Sequence, residues 1–517
     1  LSKSAYVLIF ALVLLVSLML ARPLVAIDET RYLAVAWEMW LSGDPFHLTR
    51  NFEPYADKPP LLFWLINLVW LVTGVSETAA RLVGPVCAVA AIAATGWLAR
   101  TLWPDREKIS LRSMIVVGSF PVFLIYGSAT MFDALLAVMV ILAHGVLWRI
   151  GQGGSGRRHW VLLGLAVGMG ALAKGPVMLL HVIPAILTIR LWSVASPDGA
   201  EMRRGVALAL LVALGPVLVW LGPTVVGGSS DFLHDLLWKQ TAARVTGEIG
   251  HGRPIWFLLA LLPIIVFPWG WSMRLWAALP AVVSADRPLR FALIWAVGAT
   301  LLFSIVGGKQ MHYLLPELPA LALIAARVLD ATWDRPRGSL APLGLILLAV
   351  PFVLIVTGGL DGAVGEGVVV SALEALLLGA CCLALAVVGY LLPSGLGHAL
   401  MGIGVTVALH LAIAFGGIGT RFDTSPIAAG IAARIDDGIA VVGMPYNADF
   451  NFKARLTAPL ATPDSDAALA DWTAAHPTGW IVGFVGHTGR PDAPAQTWSY
   501  RGRTFGIWPA VKAPPDP

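Results

Sequence analysis

Long runs of residues without a single charge set the first constraint on this chain. Residues 5–21, 82–99, 205–230 and 338–360 contain no Asp, Glu, Lys or Arg and are dominated by Leu, Val, Ala and Ile. A helix rises 1.5 Å per residue, so about 20 such residues span the ~30 Å of hydrocarbon in a bilayer. The composition points the same way. The chain is 57% hydrophobic and 13% charged, against roughly 25% charged in a soluble domain, and its mean hydropathy is +0.78. Glycine and proline are frequent, 53 and 35 residues, which membrane helices tolerate better than soluble ones. The expectation is a polytopic all-α membrane protein.

Candidate spans fall at 5–25, 82–99, 111–127, 130–148, 160–174, 177–191, 205–225, 255–273, 289–306, 312–328, 339–358, 369–391 and 398–418. The first has no small-residue cleavage site and reads as a retained helix rather than a signal peptide. The apolar run at 61–75 decides the parity of everything after it. If it lies at the interface, five loops gather the basic clusters around Arg100–Arg112, Arg149–Arg158, Arg190–Arg204, Arg274–Arg290 and Arg327–Arg337 on the cytoplasmic side, as the positive-inside rule requires. The opposite side then receives loops 26–81, 226–254, 307–311 and 359–368. The chain thus divides into a transmembrane domain, 1–418, and a tail, 419–517, where Asp, Pro, Thr and Asn replace Leu and Val. The tail reads as a small soluble α/β domain, with helices at 426–436 and 465–475 and strands at 438–443 and 479–485. Cys87, Cys381 and Cys382 lie in apolar runs and read as core residues rather than ligands or disulfides. The formal charge of +4 follows topology and implies no nucleic-acid partner.

Polar residues on the non-cytoplasmic side carry the chemistry. Directly after the first span comes Ile27-Asp28-Glu29-Thr30-Arg31-Tyr32, and Tyr32, Ala36 and Met39 recur at helical spacing. This predicts an amphipathic helix lying on the membrane, with a purely capping role for Asp28 as the alternative. Tyr55, Asp57, Lys58, Pro59 and Pro60 precede the 61–75 run. A helix start explains the prolines but not the adjacent acid–base pair. Asp133 lies at the mouth of the fourth span, and Lys174 ends the fifth beside Gly175 and Pro176. Ionisable groups at such depth are functional candidates, although Lys174 has the alternative of snorkelling to headgroups. Lys309, His312 and Tyr313 precede the tenth span, and loop 226–254 adds Gln240, Arg244, Glu248, His251 and Arg253. Under the chosen topology all these groups face one compartment. Lys58, Lys174, Arg253 and Lys309 suit phosphate oxygens, and Asp28 or Asp133 suits a base or acceptor-orienting carboxylate. The chemistry is the handling of an anionic lipid. There is no Walker motif, nucleotide-binding glycine loop or paired cysteine cluster.

The ordered motifs resemble the lipid-linked-sugar glycosyltransferases of the aminoarabinose transferase and protein mannosyltransferase superfamily, which have the GT-C fold. Asp28-Glu29-Thr30-Arg31-Tyr32 is similar to the family's first-loop acidic motif. Asp57-Lys58-Pro59-Pro60 is similar to its Glu-Lys-Pro-Pro motif, with Asp in place of Glu. Gly74-Val75-Ser76-Glu77 leading to Ala80-Arg81-Leu82, then Asp133, Lys174-Gly175-Pro176, Phe267-Pro268-Trp269 and Lys309 through Tyr313-Leu314-Leu315-Pro316 follow in family order. The resemblance implies a GT-C fold, to which the apolar runs above assign about thirteen spans. It also implies a catalytic group of Asp28, Glu29 and Asp133, with Lys58 and Lys309 on the donor phosphate. Arg31, Tyr32, Tyr55, Asp57, Lys174, Arg244, His251, Arg253 and Tyr313 would complete the substrate site. The implied donor is a sugar on undecaprenyl phosphate, transferred with inversion at the periplasmic face of a bacterial inner membrane. The implied acceptor is lipid A, another glycolipid, a polysaccharide or a protein hydroxyl, and the implied enzyme is a monomer surrounded by membrane lipids. One departure stands out: Gln240 and Thr241 occupy positions where aminoarabinose transferases often carry Glu-His. A divalent metal held by Asp57 with His251 is therefore left open, and no cofactor is required. The competing expectations are a lipid-linked-sugar flippase without transferase chemistry, and a membrane scaffold.

Overall fold

The computed structural model describes residues 1–154, 156–227, 252–357, 371–417 and 419–511. The chain opens with α1 (Lys3–Leu20) and α2 (Asp28–Ser42), then a two-stranded hairpin, β1 (Thr49–Arg50) and β2 (Glu53–Pro54). Next come α3 (Leu61–Thr73), α4 (Glu77–Leu102), α5 (Glu107–Val117), α6 (Pro121–Gly127), α7 (Phe132–Gly151) and α8 (Arg157–Lys174). They are followed by α9 (Met178–Leu187), α10 (Ile189–Trp192), α11 (Gly199–Gly227), α12 (Phe257–Ile265), α13 (Met273–Ala285) and α14 (Arg287–Ile305). Then come α15 (Leu318–Val328), α16 (Ala341–Val356), α17 (Ala372–Leu391) and α18 (Ser394–Phe415). The C-terminal region contains α19 (Ser425–Ala432), β3 (Ile439–Val441), α20 (Asp466–Ala475), β4 (Trp480–Phe484), β5 (Gln496–Tyr500) and β6 (Arg503–Pro509).

Among the described residues eight helical stretches are long and apolar enough to cross a bilayer: α1, α4, α7, α8 with α9, α11, α14, α17 and α18. The pair α5 and α6, bent by 68°, makes a ninth if it is one span. The protein is thus a polytopic all-α membrane protein, but the expected thirteen spans are not reached among the described residues. The reasons are local. The runs 160–174 and 177–191 join into one helical stretch, Arg157–Leu187. The run 255–273 breaks after Ile265 into a 3₁₀ turn at Trp269–Trp271, beside Pro268, which cannot donate to a helix ladder. The run 312–328 opens with 3₁₀ turns, Met311–Glu317, leaving only 11 residues of α15. Helix α3, at 13 residues, belongs to the short apolar class with α13 and α16.

Contacts divide the chain into two units. The first comprises Leu1–Met19, Ala56–Val353 and Leu376–Leu409. Within it α4 is opened by Ser76, whose hydroxyl accepts from the Ala79 N–H. Helices α8 and α11 pack closely because Gly164 and Gly168 face the Ala209 and Ala213 carbonyls, which a Cβ on either glycine would overlap. Such small-residue spacing lets backbones approach inside a membrane. Trp192 and Phe291 pack at 4.5 Å between ring centroids, with Trp148 beside them at 5.5 Å from Phe291. Asp286 starts α14 and accepts from Trp103 Nε1 at 3.1 Å and Arg327 Nε at 2.6 Å.

The second unit comprises Leu20–Tyr55, Leu354–Ala375 and His410–Pro517. Its sheet has strand order β3-β4-β6-β5, with β3 parallel to β4 and the other pairs antiparallel. The two expected helices and two expected strands of the tail are present. The β5–β6 hairpin is additional. Its two-residue loop, Arg501 and Gly502, has φ of +52° and +74°, the geometry that twisted hairpins prefer. Ile427, Ile431, Phe450, Val482, Phe505 and Ile507 form the core, and Ala26 and Phe52 from the first loop pack against it. Helix α2 ends at Gly43, whose φ of +66° lets its N–H reach the Met39 carbonyl.

Candidate active site

Within the membrane unit the candidate residues converge on one region. Asp133 lies in the first turn of α7 and is buried, and the Lys174 ammonium at the C-terminal end of α8 pairs directly with it. Gly175, at φ +81°, terminates α8 and fixes where Lys174 sits. The Lys174 Nζ is 4.4 Å from the centroid of the Tyr313 ring, a cation–π contact. Lys58 Nζ lies 5.9 Å from the centroid of Phe132, next to Asp133 in sequence. His312 packs at 5.0 Å on Tyr126.

Lys309 is 2% exposed and donates to the carbonyls of Ser304 at 2.6 Å and Pro254 at 3.4 Å. Burial holds its ammonium below the ordinary lysine pKa. Arg253 is fixed nearby in the chain fold, its N–H donating to Gly307 O at 3.1 Å and its guanidinium lying 5.3 Å from the Phe257 centroid. A cavity of about 390 Å³ lies between the segment before α3 and helices α8, α9 and α11. Asp57, Lys58 and Lys174 line its polar part, while Leu210, Leu214 and Trp220 of α11 line its apolar part.

Within the second unit a separate group gathers at the start of α2. Helix α2 begins at Asp28, after Ile27 as its cap. The Asp28 carboxylate accepts from Arg31 Nη2 at 2.7 Å and from the Tyr32 hydroxyl at 3.2 Å. Its side chain is 40% exposed, so it engages its neighbours without being enclosed by them. The capping alternative fails on this geometry, because these bonds run to side chains. Tyr32 is buried, and burial together with the Asp28 charge raises its phenol well above the ordinary tyrosine pKa. Tyr55 is also buried. Its N–H donates to Leu48 O at 2.8 Å, and Arg50 lies 5.6 Å from its ring centroid.

Glu29 differs from its neighbour. It is 1% exposed, pairs with Arg22, which is also buried, and accepts the Val25 N–H at 2.9 Å. Arg22 was not among the sequence candidates, since it ends the first apolar run and reads as a boundary charge. The buried His181–Glu317 pair, 2.5 Å apart, was also missed. Its members are 136 residues apart, and no local spacing links them. Arg244 and His251, with Gln240 and Glu248, lie outside the described residues. Among the described residues no group of three or more His, Cys, Asp or Glu is placed to hold a metal ion.

The family profile described as dolichyl-phosphate-mannose-protein mannosyltransferase matches residues 57–221, a stretch that includes Lys58, Asp133 and Lys174. The undecaprenyl phosphate-alpha-4-amino-4-deoxy-L-arabinose arabinosyl transferase of Pseudomonas paraeruginosa is 31% identical over 343 residues, covering 62% of this chain and 60% of its own. Its counterpart from Pectobacterium atrosepticum is 28% identical over 391 residues, covering 72% of this chain and 66% of its own. The chain thus spans about 60% of the length of the first curated relatives it matches. The crystal structure of ArnT from Cupriavidus metallidurans bound to undecaprenyl phosphate superposes with a TM-score of 0.75 at 22% identity, covering 98% of both chains. The archaeal oligosaccharyltransferase AglB from Archaeoglobus fulgidus gives 0.56 at 13% identity, covering 93% of this chain and 69% of that one. At these identities the likeness of the solved structures is one of fold. In sequence over about three-fifths of its length the chain is similar to undecaprenyl phosphate-dependent arabinosyl transferases, and over nearly all of its length it shares the fold of the ArnT crystal structure.

Proposed function

We propose that this protein is an inverting glycosyltransferase that takes a sugar from a polyprenyl phosphate, in bacteria undecaprenyl phosphate, and delivers it to a hydroxyl acceptor. The observation that carries the reading is the cavity of the membrane unit, which joins Lys58 and Lys174 to an apolar wall. A polyprenyl phosphate has this same division, an anionic head on a hydrocarbon tail. Lys58 and Lys309 hold the phosphate oxygens, Lys174 and Asp133 shape the cavity, and Tyr313 fixes Lys174 from the face of its ring. The curated relatives carry names of undecaprenyl phosphate-dependent arabinosyl transferases, which supports the donor class.

The reaction needs few protein groups. The acceptor oxygen attacks the anomeric carbon from the face opposite the phosphate, and its proton passes to a carboxylate, the role that the first-loop motif gives to Asp28. The carbon–oxygen bond to phosphate breaks with inversion, and the electron pair stays on the polyprenyl phosphate. A phosphate leaving group is already a good one, so cations that stabilise its charge replace a strong general acid. Arg31 and Tyr32 orient Asp28. Glu29, enclosed with Arg22, fixes the helix start rather than reacting. The positive-inside distribution supports a cell inner membrane location, with Asp28 and the C-terminal domain facing the periplasm. Lipid A, another glycolipid, a polysaccharide or a protein hydroxyl is the acceptor class, and the enzyme works as a monomer.

Purified protein given a polyprenyl-phosphate sugar and a panel of acceptors should form a glycosidic product seen by mass spectrometry. Asp28→Asn should lower kcat by roughly 10²–10⁴-fold, the usual range for loss of a base. Sugar translocation across proteoliposomes without bond formation would instead establish a flippase. Chelator treatment in the same assay decides whether Asp57 holds a divalent cation.

A further inference from the structure

The first-loop helix carries a second enclosed carboxylate that the reaction does not use. Glu38, in the third turn of α2, is 2% exposed. Its Oε1 accepts from the Asn51 N–H at 2.9 Å and from Asn451 Nδ2 at 3.0 Å, and its Oε2 accepts from the Phe52 N–H at 2.8 Å. Asn51 and Phe52 are the loop of the β1–β2 hairpin, between the paired Arg50 and Glu53. Their φ values of +54° and +60° make it a turn in which both residues are left-handed. Asn tolerates that conformation, but a bulky Phe is strained there. Two features of this fold offset the strain. The Glu38 carboxylate takes both turn N–H groups, and the Phe52 side chain packs against the core of the C-terminal domain.

The same node extends into that domain. Asn51 exchanges two hydrogen bonds with the backbone of Leu460, at 2.9 and 3.0 Å. Asn451 accepts from the Tyr446 hydroxyl at 2.5 Å, and Trp37 of α2 donates to Leu456 O at 2.8 Å. Ordinary docking of two surfaces is met by apolar packing, and enclosing a carboxylate is costly unless its bonds are made. What a fully bonded carboxylate adds is direction, because each oxygen fixes particular donors. Asp28 stands at the other end of the same helix, and Tyr55 follows β2 directly.

We propose that the C-terminal domain positions the Asp28 motif, acting through Glu38 and Asn451. Neither residue touches substrate; both are positioning residues. The kinetic consequence rests on the glycosyl-transfer reading given above, whereas the mechanical coupling does not. The full-length protein carrying Asn451→Ala, Glu38→Ala, Glu38→Gln or both alanine changes separates the two.

Hydrogen exchange should be faster at residues 28–32 and 48–55 in Asn451→Ala, although the substitution lies about 400 residues away in sequence. In sugar transfer, Asn451→Ala should lower kcat by about 10-fold or more with donor KM changed less than about twofold, since misplacement by an ångström costs that much. Glu38→Gln, which keeps one acceptor oxygen, should retain more kcat than Glu38→Ala. The double alanine variant should be no slower than Glu38→Ala, because residues of one node are not additive. Unchanged exchange at 28–32 and 48–55, or loosened exchange with wild-type kcat, overturns the proposal. If wild-type protein transfers no sugar while Asn451→Ala loosens those segments, the transferase reading fails and the coupling stands.

Discussion

Lys174 and Asp133 are charged groups from which solvent is largely excluded, with side-chain exposures of 9% and 2%. Each makes the other tolerable. Asp133→Ala should therefore cost about 3–5 kcal/mol, the usual penalty for leaving one member of a buried pair behind. The measurement is the unfolding temperature in detergent. The double change Asp133→Ala with Lys174→Met should recover part of the loss, and equal losses in single and double variants would mean that the pair contributes nothing. Both residues were legible in the sequence, because an ionisable group at membrane depth is conspicuous. Their pairing was not, since 41 residues separate them. Asp28, Arg31 and Tyr32 were legible as a group because helical spacing alone brings i, i+3 and i+4 together. Glu29 shows the limit of that reasoning. One residue from Asp28, it points the other way into a bond with Arg22, and only the turn between α1 and α2 decides this.

At the scale of elements, close packing of α8 on α11 forms one wall of the candidate donor cavity. A side chain at Gly164 would strike the Ala209 carbonyl and the Val212 side chain. Gly164→Val should thus destabilise the protein by about 1–3 kcal/mol, as overpacking commonly does, and should raise donor KM by widening the cavity. Thermal unfolding and donor titration read the two effects, and an unchanged KM would detach this helix pair from the donor site. Element type was readable wherever apolar runs were long and proline-free. It failed at Phe267–Trp271 and Met311–Glu317, where proline-containing segments replace the expected helix with 3₁₀ turns. The β5–β6 hairpin escaped for a different reason. Its turn is Arg-Gly rather than the familiar Asn-Gly or Asp-Gly, so the pattern of strands alone had to signal it.

For the whole molecule the parity of the crossings depends on α3. Thirteen residues of helix reach about 20 Å, short of the ~30 Å hydrocarbon layer. Single cysteines placed at Asp57 and Gly74, in a protein whose three native cysteines are replaced, should both react with an impermeant reagent from the periplasmic side. Labelling from opposite sides would mean that α3 crosses, and would invert every loop after it. The division into two units also departs from sequence order. Residues 20–55 pack with the C-terminal domain, although some 360 residues of membrane helices lie between them in the chain.

Hydrophobic run length by itself determined that the chain is a polytopic membrane protein, because crossing hydrocarbon demands satisfied backbone bonds over a fixed distance. Local spacing and motif order also determined which charged residues to inspect and which donor class to expect. Tertiary structure alone decided the partners: Asp133 with Lys174, Glu29 with Arg22, and Glu38 with Asn51, Phe52 and Asn451. The physical reason is that a buried charge is specified by whatever satisfies it. That group is chosen by chain topology, at sequence separations over which no periodicity carries information.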